Sequence, residues 1–177
     1  MALAEAILVC LTERPMSGYD LAKYFDASIG FFWKSSHQQI YRELSKLREK
    51  GFVVSEELIQ TGKPNRIVHT ITEQGRKALY NWSLNPSRKP SIKDDLLVKL
   101  YAIEDISLPA LNEQIALRIE QHQSNLAAFL RIKEKYYDGK SLTQNQKGKL
   151  IALEMGVAEE KSRIEWLQSV TEKIAQI

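Results

Sequence analysis

A polar-faced helix that runs directly into a β-hairpin is the sequence feature that most limits the fold. Between residues 36 and 50, three apolar side chains recur at the spacing of one helical stripe: Ile40, Leu44 and Leu47. Ser35 and Ser36 are each followed three residues later by a glutamine, Gln38 or Gln39, so either register makes a capping box and the helix is predicted to begin near residue 36. Gly51 suits the position just after the helix. The sequence therefore predicts one helix with an apolar inner stripe and a polar outer face.

The hairpin that follows has a basic tip. Two runs rich in β-branched residues, 52–54 and 67–71, flank a turn at 61–66 that contains Gly, Pro and Asn. Lys63 and Arg66 lie in this turn. A helical hairpin, a polar-faced helix and a β-hairpin, in that order, are typical of a winged helix-turn-helix. In that architecture the helix enters the DNA major groove and the wing meets the flanking backbone.

The outer face of the predicted helix has side chains that suit DNA. Gln38 and Arg42 belong to the residue types that bond purine edges in pairs, and Ser, Lys and Tyr suit phosphates. The same face is also typical of an ordinary solvent-exposed helix. Residues 1–90 carry 13 Lys and Arg against 9 Asp and Glu, a net charge of +4, whereas residues 91–177 carry 12 against 13, a net charge of −1. The positive excess thus lies in the half that holds the helix and hairpin.

A proline-rich segment divides the chain. Helices are predicted at 3–12, 18–28 and 72–85, and the segment 85–90 that follows contains two prolines and only polar residues otherwise, which resist regular structure. We therefore expect a mainly helical α+β protein of two domains. The first, 1–86, is predicted to be a winged helix-turn-helix with a small β-hairpin wing, and the second, 87–177, an all-helical domain.

The second half has the pattern of long amphipathic helices. One is predicted at 91–104, one at 107–138, and one from residue 143 onward with a heptad-like repeat. The two long helices are expected to form an antiparallel, coiled-coil-like hairpin. A hairpin of this length buries the apolar stripes of both helices best against a second copy, which predicts a homodimer. The alternative is a hairpin that packs only on its own subunit. The predicted dimer-interface residues are Ile115, Ile119, His122, Leu126, Phe129, Leu153, Val157, Ile164 and Leu167.

Several classes of protein find no support in the sequence. The single cysteine, Cys10, excludes an internal disulfide framework, and no apolar run has the length of a membrane span, so a cytoplasmic location is expected. The three histidines are far apart, and no phosphate-binding loop, dinucleotide-binding glycine pattern or zinc motif occurs. We therefore predict no catalytic residue, no metal site, no cofactor and no enzymatic activity.

Three segments carry a resemblance to a known family. They read SGYDLAKYF, ASIGFFWKSSHQQIYREL and GKPNRIVHTITEQGRKAL. With the helical second half, they resemble the PadR family of bacterial transcription regulators and, within it, the virulence-activator-like branch. The resemblance implies an N-terminal winged helix, a C-terminal helical dimerisation domain, and homodimers that bind double-stranded operator DNA with an inverted repeat.

The resemblance also implies which residues contact DNA. The helix at 36–50 would be the recognition helix, and 61–66 would be the wing. The implied contact residues are Lys34, Ser36, Gln38, Gln39, Tyr41, Arg42, Lys46, Lys63, Asn65 and Arg66. The involvement of a second transcription regulator or of a small-molecule effector stays open, as does the sign of regulation. The alternative is a protein-interaction module that docks another regulator and does not read DNA itself.

Overall fold

The chain divides into two compact units, Met1–Pro90 and Ser91–Ile177. A computed structural model describes residues 2–31, 33, 35–59, 62, 65–87 and 93–177. The first unit combines helices with a small sheet, and the second contains helices only. The predicted fold class, a winged helix followed by a helical domain, is confirmed.

In the residues described, the first unit contains four helices, and capping signals in the sequence precede three of them. The four helices are α1 (Ala2–Glu13), α2 (Gly18–Ala27), α3 (His37–Glu49) and α4 (Glu73–Ser83), and a single 3-10 turn (Ile29–Phe31) follows α2. Ser17, Ser36 and Thr72 cap α2, α3 and α4 by accepting a hydrogen bond from the amide three residues later. Gly51 follows α3 with a positive φ of 71°, a conformation that glycine adopts at little steric cost.

A three-stranded antiparallel sheet completes this unit. The hairpin strands are β2 (Val53–Leu58) and β3 (Arg66–Ile71), as the sequence predicts. A two-residue strand, β1 (Met16–Ser17), pairs with the other edge of β3, with Met16 opposite His69. The sequence predicted only a helix break there, because two residues are too few to show a strand pattern.

The core of the first unit is the apolar stripe of α3 packed against the other helices. Ile40, Leu44 and Leu47 are buried, as their spacing predicts. They belong to one cluster with residues from α1, α2 and the sheet, namely Ile7, Leu8, Cys10, Leu11, Met16, Leu21, Ala22, Phe25, Val53 and Ile71. Burial of this inner stripe leaves the opposite face of α3 in solvent, since each helical side chain points to one side only.

The second unit is built on two long helices. They are α6 (Leu108–Tyr136) and α7 (Gln144–Ile174), preceded by the short α5 (Asp95–Tyr101) and a 3-10 turn at Ile103–Asp105. The helix predicted at 91–104 is thus shorter than expected. Its cap, Asp94, accepts hydrogen bonds from the Leu96 amide, at 2.9 Å, and from Arg118.

Asp94 links three helices of the second unit. Arg118 of α6 donates to it at 2.7 Å and Arg163 of α7 at 3.5 Å. Burial raises the pKa of this carboxyl group, but the hydrogen bonds from Arg118 and the Leu96 amide, together with the charges of both arginines, outweigh burial and lower the pKa below its ordinary value. Asp94 is therefore ionised at neutral pH and holds α5 against α6 and α7.

The predicted dimer-interface stripe lies largely along the seam between α6 and α7 of one chain. Ile115, Phe129, Ile164 and Leu167 are buried within the unit itself. The remaining five keep part of their surface exposed: Ile119, His122, Leu126, Leu153 and Val157. His122 Nδ1 lies 2.5 Å from Glu160 Oε2 of α7. The four buried side chains pack within their own chain, and their part in a dimer interface stays a prediction.

Candidate nucleic-acid interface

The start of α3 is fixed by its own side chains. Ser36 Oγ accepts from the Gln39 amide at 3.2 Å, and Gln39 Oε1 accepts from the Ser36 amide at 2.8 Å, which is a complete capping box. Ser35 Oγ also donates to Gln39 Oε1, at 3.2 Å. A glutamine that reads adenine needs both its oxygen and its nitrogen. Gln39 could do so only by opening the capping box, so Gln38 is the better placed of the two glutamines.

Arg42 is the cation best placed to read a base. It is exposed on the outer face of α3, on the same side as Gln38. Within the part of the chain that the structure describes, no acidic side chain lies within ion-pair distance of Arg42. A guanidinium without an acidic partner keeps its whole fork of donors available for a guanine edge.

Two other basic side chains near this face lie beside acids. Lys46 donates to Glu43 at 3.0 Å, within α3. His37, at the first position of α3, contacts Asp26 of α2 across 2.9 Å, and both side chains are about half exposed. The Lys46 side chain is also about half exposed, and an ion pair at the surface contributes little stability, so a phosphate can replace Glu43 as its partner at small cost. Lys34, a predicted phosphate contact, lies outside the described residues.

The base of the wing is tied to α2. Arg66, the first residue of β3, forms an ion pair with Asp20 in the first turn of α2. Asp20 also accepts a hydrogen bond from Ser17 Oγ at 2.7 Å. Asn65 donates to Glu57 of β2 at 2.9 Å. The sequence did not indicate the Asp20–Arg66 pair, because the two residues lie more than 40 positions apart. Lys63 lies outside the described residues.

His69, on the central strand of the wing, has a structural role. Burial lowers its pKa, and the nearby positive charge of Arg48 lowers it further. The ring is therefore neutral at neutral pH, and its Nδ1 lies 2.9 Å from Ser55 Oγ on the neighbouring strand. A neutral imidazole that holds two strands together adds no positive charge to the wing.

The structure brings the α3 face and the wing base together around the first turn of α2. Tyr41 of α3 and Arg66 of β3 both contact this turn, through Gly18 and Asp20 respectively. The structure describes every predicted contact residue except Lys34 and Lys63. The side chains that are exposed and take no part in the capping box are those of Gln38, Tyr41, Arg42, Lys46, Asn65 and Arg66. Their contact with DNA stays a prediction.

Neither a metal site nor a membrane-spanning helix is found in the described ranges. No group of three His, Cys, Asp or Glu residues among them could hold a metal ion. No helix in these ranges is long and apolar enough to cross a membrane.

Family models cover almost the whole chain. The PadR-like family of transcriptional regulators matches residues 7–81, and the virulence activator alpha C-terminal model matches residues 92–175. The negative transcriptional regulator PadR of Bacillus subtilis is 30% identical in an alignment that covers 95% of this chain and 94% of that protein.

Solved structures agree with these matches. The crystal structure of Bacillus subtilis PadR in complex with operator DNA has a TM-score of 0.83 and 27% identity, covering 99% of this chain and 98% of that one. The Vibrio cholerae virulence activator AphA has a TM-score of 0.79 and 32% identity, covering 98% of both chains. The resemblance predicted from the sequence is thereby confirmed, and the chain belongs to the PadR-like family of transcriptional regulators.

Proposed function

We propose that this regulator binds operator DNA as a homodimer, with α3 of each copy in the major groove and the wing on the flanking backbone. In this proposal residues 1–86 bind DNA and residues 87–177 form the dimer. Gln38 and Arg42 read base edges, whereas Lys46, Tyr41 and the wing contact phosphates. The role in this proposal is regulatory and not catalytic.

The exposed guanidinium of Arg42 on α3, which has no acidic partner among the described residues, is the observation that carries this proposal. It stands on a helix whose inner stripe is fully buried, so the helix presents Arg42 from a rigid support. A similar structure, Bacillus subtilis PadR, was solved in complex with operator DNA. The alternative of a protein-docking module fits less well, because a protein-binding surface is centred on aromatic anchors and is depleted of lysine.

Selection of binding sites from random duplex DNA tests the proposed function. We expect the purified protein to enrich an inverted repeat whose half-sites lie about one helical turn apart, roughly 34 Å. Binding to the selected site should weaken steeply as salt rises, since each phosphate neutralised by Lys or Arg releases a counterion. Absence of enrichment, with weak binding at every salt concentration, would contradict the proposal.

Exposed apolar side chains on the helical unit support the proposed dimer. Ile151 and Met155 of α7 are 68% and 65% exposed and lie one turn apart on the same face. Leu117 of α6 and Val98 of α5 are 65% and 69% exposed. These side chains are candidates for a surface that a second copy covers, because association buries apolar area that one chain leaves in water.

Replacing Met155 with glutamate should weaken the dimer. We expect a dimer mass for the wild-type protein at micromolar concentration and a dissociation constant at least about tenfold higher for Met155→Glu, since an interface methionine contributes roughly 1.5–3 kcal/mol by burial. Sedimentation equilibrium measures both. Ile59→Glu, at an apolar position of the other unit that is 86% exposed, is the control and should keep the dimer mass. A monomeric wild-type protein would exclude the homodimer.

A further inference from the structure

Gly18 lies directly beneath the ring of Tyr41. A Cβ atom at Gly18 would lie 2.4 Å from Tyr41 Cε1 and 3.0 Å from Cδ1. The first distance is shorter than real Cβ contacts show, so any side chain at position 18 would force the Tyr41 ring to move from where it now rests. Gly18 itself is buried, and Tyr41 is 44% exposed.

The contact holds a half-exposed phenol in one place. Tyr41 belongs to the second turn of α3, and its ring rests on the first turn of α2, so the ring bridges the two helices of the helix-turn-helix. A side chain held on one side by backbone loses less freedom when it binds, which favours a defined contact. The first helix of such a motif crosses the DNA backbone.

From this geometry we propose that Gly18 is a positioning residue for DNA binding: it seats the Tyr41 ring so that the hydroxyl group meets a backbone phosphate. This inference rests on the proposed function. The contact is with the backbone and not with a base, because Tyr41 lies on the flank of α3 beside α2, whereas Gln38 and Arg42 occupy the outer face.

Gly18→Ala is the main test, with Tyr41→Phe as the companion variant. Alanine favours a helix more than glycine does, so α2 itself is not weakened, but the new methyl group displaces the Tyr41 ring. We expect Gly18→Ala and Tyr41→Phe each to bind about tenfold more weakly, the order of a lost hydrogen bond to a charged group, on operator and random DNA alike. The salt dependence should not change, because a phenol displaces no counterion.

A double variant separates positioning from general damage. In a Tyr41→Ala background there is no ring to displace, so adding Gly18→Ala should cause no further loss of affinity. Gly148→Ala is the matched control, since the Gly148 position in α7 has open space around it, and this variant should bind DNA like the wild type. Fluorescence anisotropy with labelled duplexes at several salt concentrations gives all these affinities.

The outcomes distinguish the inference from the function on which it rests. Wild-type affinity in Gly18→Ala or in Tyr41→Phe would overturn the positioning role, and so would a further loss on adding Gly18→Ala to Tyr41→Ala. A wild-type protein that binds no duplex would instead contradict the proposed function itself. The Tyr41→Phe result stands even where Gly18→Ala does not fold.

Discussion

Arg42→Ala is expected to lower affinity for the selected operator by roughly 5- to 150-fold, or about 1–3 kcal/mol, while binding to random DNA weakens much less. The reason is that a bidentate arginine contact to a base distinguishes one base pair from the others. Arg42 has no acidic partner among the described residues, so the free protein offers its full set of donors. Competition between operator and random duplexes in one titration measures the loss of preference.

A matched arginine controls for the loss of one positive charge. Arg131 on α6 is also exposed, and Arg131→Ala changes the net charge by the same amount in the other unit. This variant should keep the operator preference of the wild type. Equal losses on operator and random DNA for Arg42→Ala would show that Arg42 contacts phosphate and reads no base.

Local signals in the sequence were enough to predict most helices of the fold. A helix cap and an apolar stripe involve residues three or four positions apart, so Ser36, Gln39 and Ile40 could be interpreted without knowledge of the rest of the chain. The structure adds a constraint on Gln39, one of the DNA contacts that the resemblance implied. Its side-chain oxygen accepts a hydrogen bond in the capping box, so this oxygen is not available to a base while the capping box is closed.

Contacts between distant residues could not be predicted in this way. Two such contacts are the ion pair of Arg66 with Asp20 and the packing of the Tyr41 ring on Gly18. Both depend on how α2, α3 and the sheet pack, and neither produces a local pattern in the sequence. A heptad stripe has a related ambiguity, because it shows that a surface is buried but not which helix covers it. Ile115 and Leu167 are accordingly buried by their own chain.

Gly75→Ala is expected to destabilise the first unit by about 1–3 kcal/mol, the range for overpacking a filled core. A Cβ at Gly75 would lie 2.3 Å from the Phe52 carbonyl oxygen, and backbone cannot rotate away as a flexible side chain can. The start of α4 is also held there, because the Thr72 amide donates to the same oxygen at 3.0 Å and Thr72 Oγ1 donates to Gly51 at 2.7 Å. Displacing α4 breaks these bonds, and the gain in helix propensity of about 1 kcal/mol offsets only part of the loss.

Hydrogen exchange resolved by mass spectrometry can measure this effect in one unit at a time. Protection of the β2 and β3 strands should fall in Gly75→Ala, while α6 exchanges as in the wild type. The same substitution at Gly148 should instead stabilise α7 by up to about 1 kcal/mol. There an added Cβ would meet no described atom within 4 Å beyond the neighbouring backbone of its own helix. Opposite signs for one chemical change would follow from packing alone, because helix propensity favours alanine at both positions. Unchanged protection in Gly75→Ala would mean that α4 can shift away from Phe52 without loss, and that its close approach does not fix the position of the wing.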